Sequence, residues 1–240
     1  MLELQIRRKQ FSLADGGTLE VLRDFTLQVG SDEFVCLVGP SGCGKTTTLR
    51  AVLGLGADFD GSVQLNGNPR VAAVFQEPSL LPWRSVVDNV RIALPRSLRD
   101  QSLQALFETL GLAEMQHFYP TELSLGLARR VALARAFALE PGLIVLDEPF
   151  VSLDDETARR LRQLLVTVWE ARPTAALMVT HNLREAVELA DRIVLLKPRP
   201  ATEIAQVNIT IPRDQRDAEF VTGKVAEINR IAAAHWGADG

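Results

Sequence analysis

Nine consecutive residues carry the clearest chemistry in this sequence. Gly39 to Thr47 read Gly-Pro-Ser-Gly-Cys-Gly-Lys-Thr-Thr and fit the pattern G-x-x-x-x-G-K-[ST]. Glycines let successive backbone N–H groups point at one anion. Lys45 adds a point charge and Thr46 a hydroxyl that can bind Mg²⁺. A site for nucleotide phosphates is predicted, formed by Gly39, Pro40, Ser41, Gly42, Cys43, Gly44, Lys45, Thr46 and Thr47.

A second motif supplies two carboxylates. The apolar run Leu143 to Leu146 ends in Asp147 and Glu148. Asp147 is expected to hold Mg²⁺, directly or through water. Glu148 is expected to orient or deprotonate the attacking water. Solvated acids at the end of an ordinary strand are the alternative, but together with the phosphate loop the pair indicates ATP hydrolysis.

The elements that must position these residues alternate between strand and helix. Phe34 to Val38 is a continuous apolar run that leads into the glycine-rich loop, which is typical of a buried strand feeding a helix. That helix is expected from Lys45 to about Leu53. Strand and helix patterns that alternate along the chain indicate an α/β fold with a mainly parallel sheet covered on both faces.

Other segments complete this outline. Leu2 to Ile6 and Leu19 to Leu22 have the pattern of short N-terminal strands. From Pro78 to about Glu140 the periodicity becomes helical, with an apolar stripe at Leu103, Leu106, Phe107 and Leu110. A polar segment follows Pro200, and after it comes a helix with Val221, Val225, Ile228 and Ala232 on one face.

Composition limits the classes of partner. The formal net charge is -4 and the sequence pI is about 5.5, so there is no basic excess, and we expect no nucleic acid partner. Cys36 and Cys43 suggest no disulfide framework, which favours a reducing cytoplasm. No stretch approaches the roughly 18 apolar residues of a membrane span, so we expect a soluble protein.

Five ordered motifs together resemble the ATPase subunit of an ABC transporter. They are the phosphate loop, Gln76, Leu123-Ser124-Leu125-Gly126, Asp147-Glu148 with Ser152-Leu153-Asp154, and His181. The resemblance extends from about Leu2 to Leu196. It implies a P-loop NTPase (RecA-like) core over residues 1–76 and 141–200, with an N-terminal antiparallel β region. It also implies an inserted helical subdomain at about 77–140, and residues 201–240 are a short extension with an amphipathic helix.

The resemblance further implies a head-to-tail dimer that encloses ATP between the subunits, and we expect the second subunit to be another copy of this chain. Ser124 and the N–H of Gly126 would contact the γ-phosphate held by the partner, although Ser124 could also act as a helix cap alone. Asp154 would communicate between the sites. Gln76 would touch Mg²⁺ and the attacking water, and His181 would contact the γ-phosphate. Phe11 is the candidate that stacks on adenine, with a core position as its alternative.

The signature motif departs from the usual Leu-Ser-Gly-Gly-Gln of the family. Leu125 replaces a glycine and Leu127 replaces the glutamine. Leucine resists positive φ, and Leu127 removes a polar side chain from the dimer face. Hydrolysis is expected to survive these changes. A nucleotide-binding subunit with impaired hydrolysis is the alternative, as is a non-transport ABC ATPase.

The stretch from Phe75 to Trp83, Phe-Gln-Glu-Pro-Ser-Leu-Leu-Pro-Trp, resembles the corresponding segment of importers of nitrate, sulfonates and taurine. In that group it lies near the groove that receives the membrane subunit, while Trp83 could instead belong to a core. The implied partners are integral membrane permease subunits, a second ATPase subunit and, indirectly, a periplasmic or lipid-anchored solute-binding protein. The implied location is the cytoplasmic face of the inner membrane, as a peripheral subunit.

Overall fold

A computed structural model describes residues 1–14, 16–56 and 58–236 of the chain. The predicted mixed α/β class is confirmed. In chain order the elements are β1 (Leu2–Ser12), β2 (Thr18–Val29), β3 (Phe34–Val38), α1 (Lys45–Val52), β4 (Asp60–Leu65), β5 (Val71–Val74), α2 (Val86–Arg91), α3 (Gln104–Thr109), α4 (Leu125–Ala138), β6 (Leu143–Asp147), α5 (Asp155–Ala171), β7 (Ala175–Thr180), α6 (Leu183–Leu189), β8 (Arg192–Leu196), β9 (Glu203–Asn208) and α7 (Ala218–Trp236).

These elements fall into two compact units. The first contains Met1–Asn68 and Ala175–Gly240, and the second contains Pro69–Thr174. Within the ranges that the structure describes, no helix combines the length and the apolar character needed to cross a membrane.

The N-terminal part of the first unit is an antiparallel sheet in the order β2-β1-β4. Along β1, Leu2, Leu4 and Ile6 are buried while Glu3 and Gln5 are exposed. This alternation arises because successive side chains of a strand point to opposite faces. The predicted antiparallel region is therefore confirmed, with strands longer than the short runs that the sequence indicated.

A second sheet of the same unit holds the strand that precedes the phosphate loop. Strands β7, β3 and β8 are parallel neighbours, and every residue of β3 is buried. Strand β9 pairs antiparallel with β8 at the edge. The sequence had indicated only a polar segment here, because β9 places just Val207 in the buried class.

The C-terminal helix is fixed to the end of α6. Arg216 Nη1 donates to the carbonyl oxygens of Val187, Glu188 and Ala190 at 2.9–3.2 Å, so it satisfies carbonyls that the end of a helix leaves unpaired. Burial lowers the pKa of Arg216 to about 10, which leaves it charged at neutral pH. Helix α7 buries its stripe at Val221, Ile228 and Ala232.

In the second unit, β5 and β6 are parallel neighbours. Helix α5 begins at the cap Asp154 and buries Leu161 and Leu165. Its indole at Trp169 donates to Thr174 O at 2.8 Å, which closes the connection that leaves the helix.

One ion pair gives the first unit a pH-dependent stability. Arg192 Nε and Nη2 donate to the two carboxylate oxygens of Glu33 at 2.7 and 3.1 Å, and Nη2 also donates to Gln28 O. Burial by itself raises the pKa of Glu33, but the hydrogen bonds from Arg192 and from the Gly30 N–H outweigh it, and the net pKa is lowered. A group with a depressed folded pKa stabilises above its unfolded value, 4.5, and loses that contribution as the pH falls through the folded value.

We therefore expect Glu33→Gln to lower the free energy of unfolding at pH 7, with the difference from wild type shrinking as the pH falls below 4.5. Urea denaturation at several pH values measures this. Glu170 is exposed, so Glu170→Gln is the matched control, and its difference from wild type in the free energy of unfolding should not show this dependence on pH. A loss of stability in Glu33→Gln that is the same at pH 7 and pH 3.5 would contradict the interpretation.

Candidate nucleotide site

The phosphate loop turns between β3 and α1 in the first unit. Cys43 N donates to Pro40 O at 3.2 Å, and Thr48 N donates to Gly44 O at 2.9 Å, which starts the helix. Gly44 has φ 113°, a conformation that side chains disfavour, so a glycine is needed there. The loop thus ends at the N-terminus of α1, where backbone N–H groups and the helix dipole favour an anion.

Lys45 lies across its own loop. The side chain is 4% exposed, and Nζ donates to Gly39 O at 2.6 Å and to Pro40 O at 3.0 Å. These bonds use two of the three donors of an ammonium group. The charge is consequently held inside the loop, where a phosphate oxygen can accept from it.

Cys43 is buried in the same loop. Burial raises the pKa of its thiol, although the neighbouring Lys45 opposes the shift. The side chain therefore stays neutral at pH 7, and the loop contains no thiolate that would repel a phosphate.

His181 follows the strand beside the phosphate loop. In the parallel pair β3–β7, Val38 is in register with Thr180, so Gly39 and His181 are the next residues along neighbouring strands. Thr180 Oγ1 donates to Glu185 Oε2 at 2.7 Å, and Asn182 caps α6. The turn that carries His181 is therefore fixed, and its side chain is exposed.

Phe11 lies on β1, in the antiparallel sheet of the same unit. It is 44% exposed, which rules out the alternative of a core phenylalanine. Lys9 Nζ lies 4.7 Å from the ring centroid and donates to Asp58 O at 2.7 Å. An exposed ring of this kind can stack on a nucleobase.

In the second unit, Gln76 and the two acids follow paired strands. Val74 of β5 is in register with Leu146 of β6, so Gln76 and Asp147 come at the same edge of the pair. Gln76 is exposed, whereas Asp147 and Glu148 are half-buried. Glu148 has φ 44°, an uncommon value for a residue other than glycine. Backbone strain of this sort concentrates at functional sites.

Two arginines of α4 hold the loops that carry these residues. Buried Arg129 donates to Pro149 O at 2.5 Å and to Val151 O at 2.7 Å, directly after Glu148. Arg135 donates to Pro78 O at 2.7 Å and to Ser79 O at 2.9 Å, just after Gln76. Sequence reasoning missed both roles, because nothing local to an arginine shows which distant carbonyls it reaches.

The signature segment forms the start of α4. Ser124 is the N-cap, and its Oγ accepts from Leu127 N at 3.3 Å. Leu125 is the first helical residue and is not among those with positive φ. The expected conflict between leucine and a positive φ is therefore wrong: the replacement of glycine at this position imposes no backbone strain, and it leaves an apolar side chain 42% exposed.

Asp154 has the same local role at the start of α5. Its carboxylate accepts from Thr157 N at 2.9 Å, and this hydrogen bond lowers the pKa of Asp154. The acid is therefore ionised at neutral pH and caps the helix. Its predicted role in communication between sites is not visible in a single chain.

The fold and the loop together define the class of phosphate-loop nucleotide-binding proteins, and comparison with known proteins gives the family. Residues 22–151 match the model of the family described as ABC transporter. The chain is 46% identical over 226 residues to the aliphatic sulfonates import ATP-binding protein SsuB 2 of Burkholderia lata, covering 90% of this chain and 81% of that protein. It is 41% identical over 220 residues to the nitrate import ATP-binding protein NrtD of Synechococcus elongatus, covering 85% of this chain and 80% of that protein.

Among solved structures, the chain is similar to a dimeric post-hydrolysis state of the ATP-binding cassette MJ0796 bound to ADP and Pi. The TM-score is 0.72 at 25% identity, over 88% of this chain and 100% of that chain. The chain belongs to the ABC transporter family, and it is an ATP-binding, ATP-hydrolysing protein with the P-loop NTPase fold.

The close packing of Gly126 gives a test of the signature segment. A Cβ at this position would lie 2.7 Å from Thr157 Cγ2, inside van der Waals contact. We expect Gly126→Ala to lower the free energy of unfolding by about 1 kcal/mol through overpacking. Thr157→Ser removes the clashing methyl but keeps the backbone N–H that Asp154 binds, so the double variant should be about as stable as Thr157→Ser alone. Additive losses in urea denaturation would contradict this packing.

Proposed function

We propose that this chain is the ATPase subunit of a bacterial ABC importer for a small solute, of the type that handles nitrate and sulfonates. The similarity to ATP-binding proteins of sulfonate and nitrate import over most of the chain carries the proposal. In this proposal ATP binding and hydrolysis drive separate membrane subunits, and the solute is recognised by those subunits and by a solute-binding protein.

The phosphate loop binds the nucleotide. Backbone N–H groups from Gly44 to Thr46 and the N-terminus of α1 surround the β- and γ-phosphates. Lys45 neutralises charge on the outer phosphates, and its burial strengthens the interaction because water screens it less. Phe11 stacks on the adenine ring.

The donor set also suits a magnesium ion. The hydroxyl of Thr46, the amide oxygen of Gln76 and the carboxylate of Asp147 are hard oxygen ligands, which Mg²⁺ prefers while retaining several waters. When bound, the ion neutralises charge on the phosphate oxygens. These three residues are the proposed magnesium ligands of this chain.

Glu148 is the proposed base. It takes a proton from water as the water oxygen forms a bond to the γ-phosphorus and the bond to the β,γ-bridging oxygen breaks, which yields ADP and phosphate. His181 donates to the γ-phosphate and stabilises the charge that it carries in the transition state. Gln76 orients the water. Arg129 keeps Glu148 in place through the carbonyls that follow it.

A second copy of the chain completes the site. Ser124 and the Gly126 N–H at the start of α4 face the γ-phosphate bound by the partner, where the helix terminus favours negative charge. Asp154 links the sites across this interface. Because Leu125 has an ordinary helical backbone, the replacement of that glycine does not by itself favour the alternative of impaired hydrolysis, whereas the loss of a polar side chain at Leu127 is the feature that still motivates it.

Trp83 marks the proposed docking surface for the permease. It is 68% exposed, so it does not belong to a core. Buried Asn89 fixes the segment that presents it: the amide oxygen accepts from Leu81 N, and the amide nitrogen donates to carbonyls that include Arg84 O and Ser85 O. The adjoining cleft of about 360 Å³ is lined by Arg84, Asp88, Arg91, Ile92, Arg99 and Asp100. Attachment there places the subunit at the cytoplasmic face of the inner membrane.

Glu148→Gln tests the chemical assignment. It keeps the shape and the hydrogen-bonding capacity of the side chain but removes the base, so turnover should fall at least about 100-fold. ATP should still bind and, uncleaved, hold a dimer detectable by light scattering. Glu170→Gln is the matched control and should behave as wild type. Turnover in Glu148→Gln equal to that of wild type would show that Glu148 is not the base.

Trp83→Ala tests the docking surface. The side chain is exposed, so its loss should leave folding and the turnover of the isolated subunit unchanged. Capture of the cognate permease, and stimulation of turnover by it, should both fall because an exposed aromatic anchor is removed. Leu55→Ala removes another exposed apolar side chain, in the first unit, and serves as the control. Unaltered capture of the permease by Trp83→Ala would contradict the assignment.

A further inference from the structure

The short segment after β8 lies against the phosphate loop. Arg199 Nε donates to Gly42 O at 2.5 Å. A Cβ added to Gly42 would lie 2.5 Å from Arg199 Nη2, so the guanidinium packs directly on the loop backbone, and a side chain at position 42 would displace it. The contact joins positions 157 residues apart in sequence.

The C-terminal helix is joined to the same segment. Trp236, the last residue of α7, donates from Nε1 to Leu196 O at 2.8 Å. That same carbonyl oxygen lies 2.9 Å from where a Cβ of Gly39 would stand. The end of α7 therefore fixes a carbonyl that packs against the first glycine of the loop.

The segment that carries Arg199 is itself well anchored. Ala201 N donates to Val21 O at 2.8 Å, Lys197 N donates to Thr202 O at 3.1 Å, and Ala201 is fully buried. Arg199 therefore extends from a short bridge with both ends attached, although its own side chain is exposed. Because this segment is anchored, the guanidinium can restrict the motion of the loop and does not simply move with it.

The hydrogen bond acts on a peptide plane that shapes the loop. The Gly42 carbonyl and the Cys43 N–H belong to one planar peptide unit. Arg199 binds the carbonyl, and Cys43 N donates to Pro40 O, so the plane is held at both ends. The N–H groups that follow, from Gly44 to Thr46, take their direction from this turn. An ordered turn lowers the entropy lost when phosphate binds.

We propose that Arg199 is a positioning residue of the nucleotide site, which orders the phosphate loop through the Gly42 carbonyl, and that Trp236 supports it by fixing the bridge at Leu196. The proposal rests on the assignment of Gly39 to Thr47 as the ATP-binding loop. In this proposal both residues act through backbone carbonyls, Arg199 at Gly42 and Trp236 at Leu196. The C-terminal extension thereby gains a role in ATP affinity.

Two measurements on the full chain test this. Arg199→Ala should raise KM for MgATP by about 5-fold while kcat stays within about twofold, because ordering of the loop contributes to binding. Without nucleotide, the amides from Cys43 to Thr46 should exchange hydrogen faster than in wild type. Arg199→Lys retains a hydrogen-bond donor, so its KM and its exchange rates should lie between those of wild type and of Arg199→Ala. Trp236→Phe, which loses only the indole N–H, should shift both quantities in the same direction by less.

Arg230→Ala is the matched control, since it removes the same charge from the exposed surface of α7. If Arg199→Ala and Arg230→Ala have the same KM and the same exchange rates, the proposal is wrong. The ATPase assignment still stands in that case, provided that the wild-type protein hydrolyses ATP. If wild type neither binds nor hydrolyses ATP, that assignment fails. Exchange in the absence of nucleotide still decides then whether Arg199 orders the loop.

Discussion

The proposed nucleotide site of the first unit depends on one run of backbone N–H groups being held toward a single anion. A peptide loop needs support to keep this conformation. Backbone carbonyls that are removed from water need hydrogen-bond donors, and the N–H groups keep their direction only if their peptide planes are held. Here β3 is buried along its whole length between parallel neighbours, and it delivers Gly39 to a defined position. Lys45 binds two of the loop carbonyls, and Arg199 binds a third. The order in the loop is therefore distributed over contacts that are remote in sequence.

In the second unit too, side chains that are remote in sequence hold the segments next to the proposed functional residues. Helix α4 begins with the signature residue Ser124 and continues through Arg129 and Arg135, whose side chains hold the segments after Glu148 and after Gln76. A displacement at the start of this helix would consequently shift both segments. This arrangement gives a physical route by which a partner at the signature could influence Glu148, the proposed base. The route depends on charged hydrogen bonds to backbone carbonyls.

Local patterns predicted a large part of this protein. The glycine spacing located the loop, and the helix expected from Lys45 to about Leu53 is α1, Lys45–Val52. The order of the motifs led to the family.

The sequence did not reveal β9, whose single buried residue leaves no periodic signal. Nor did it reveal Arg199 or Arg129, since these residues act on carbonyls that lie near them only after folding. At Leu125 reasoning from the missing glycine failed, because the position is the ordinary first residue of a helix. The residues assigned to chemistry retain their predicted roles as proposals.

The central proposal is that the phosphate loop of one copy is completed by the signature of another. The most direct measurement is ATP turnover in a mixture of two variants, Lys45→Ala and Ser124→Arg, each inactive when assayed alone. In a mixed dimer one site would combine an intact phosphate loop with an intact signature, so the account predicts that mixing restores turnover. If mixing restores nothing although the two variants are shown to associate, the site does not need a second copy, and the account is contradicted.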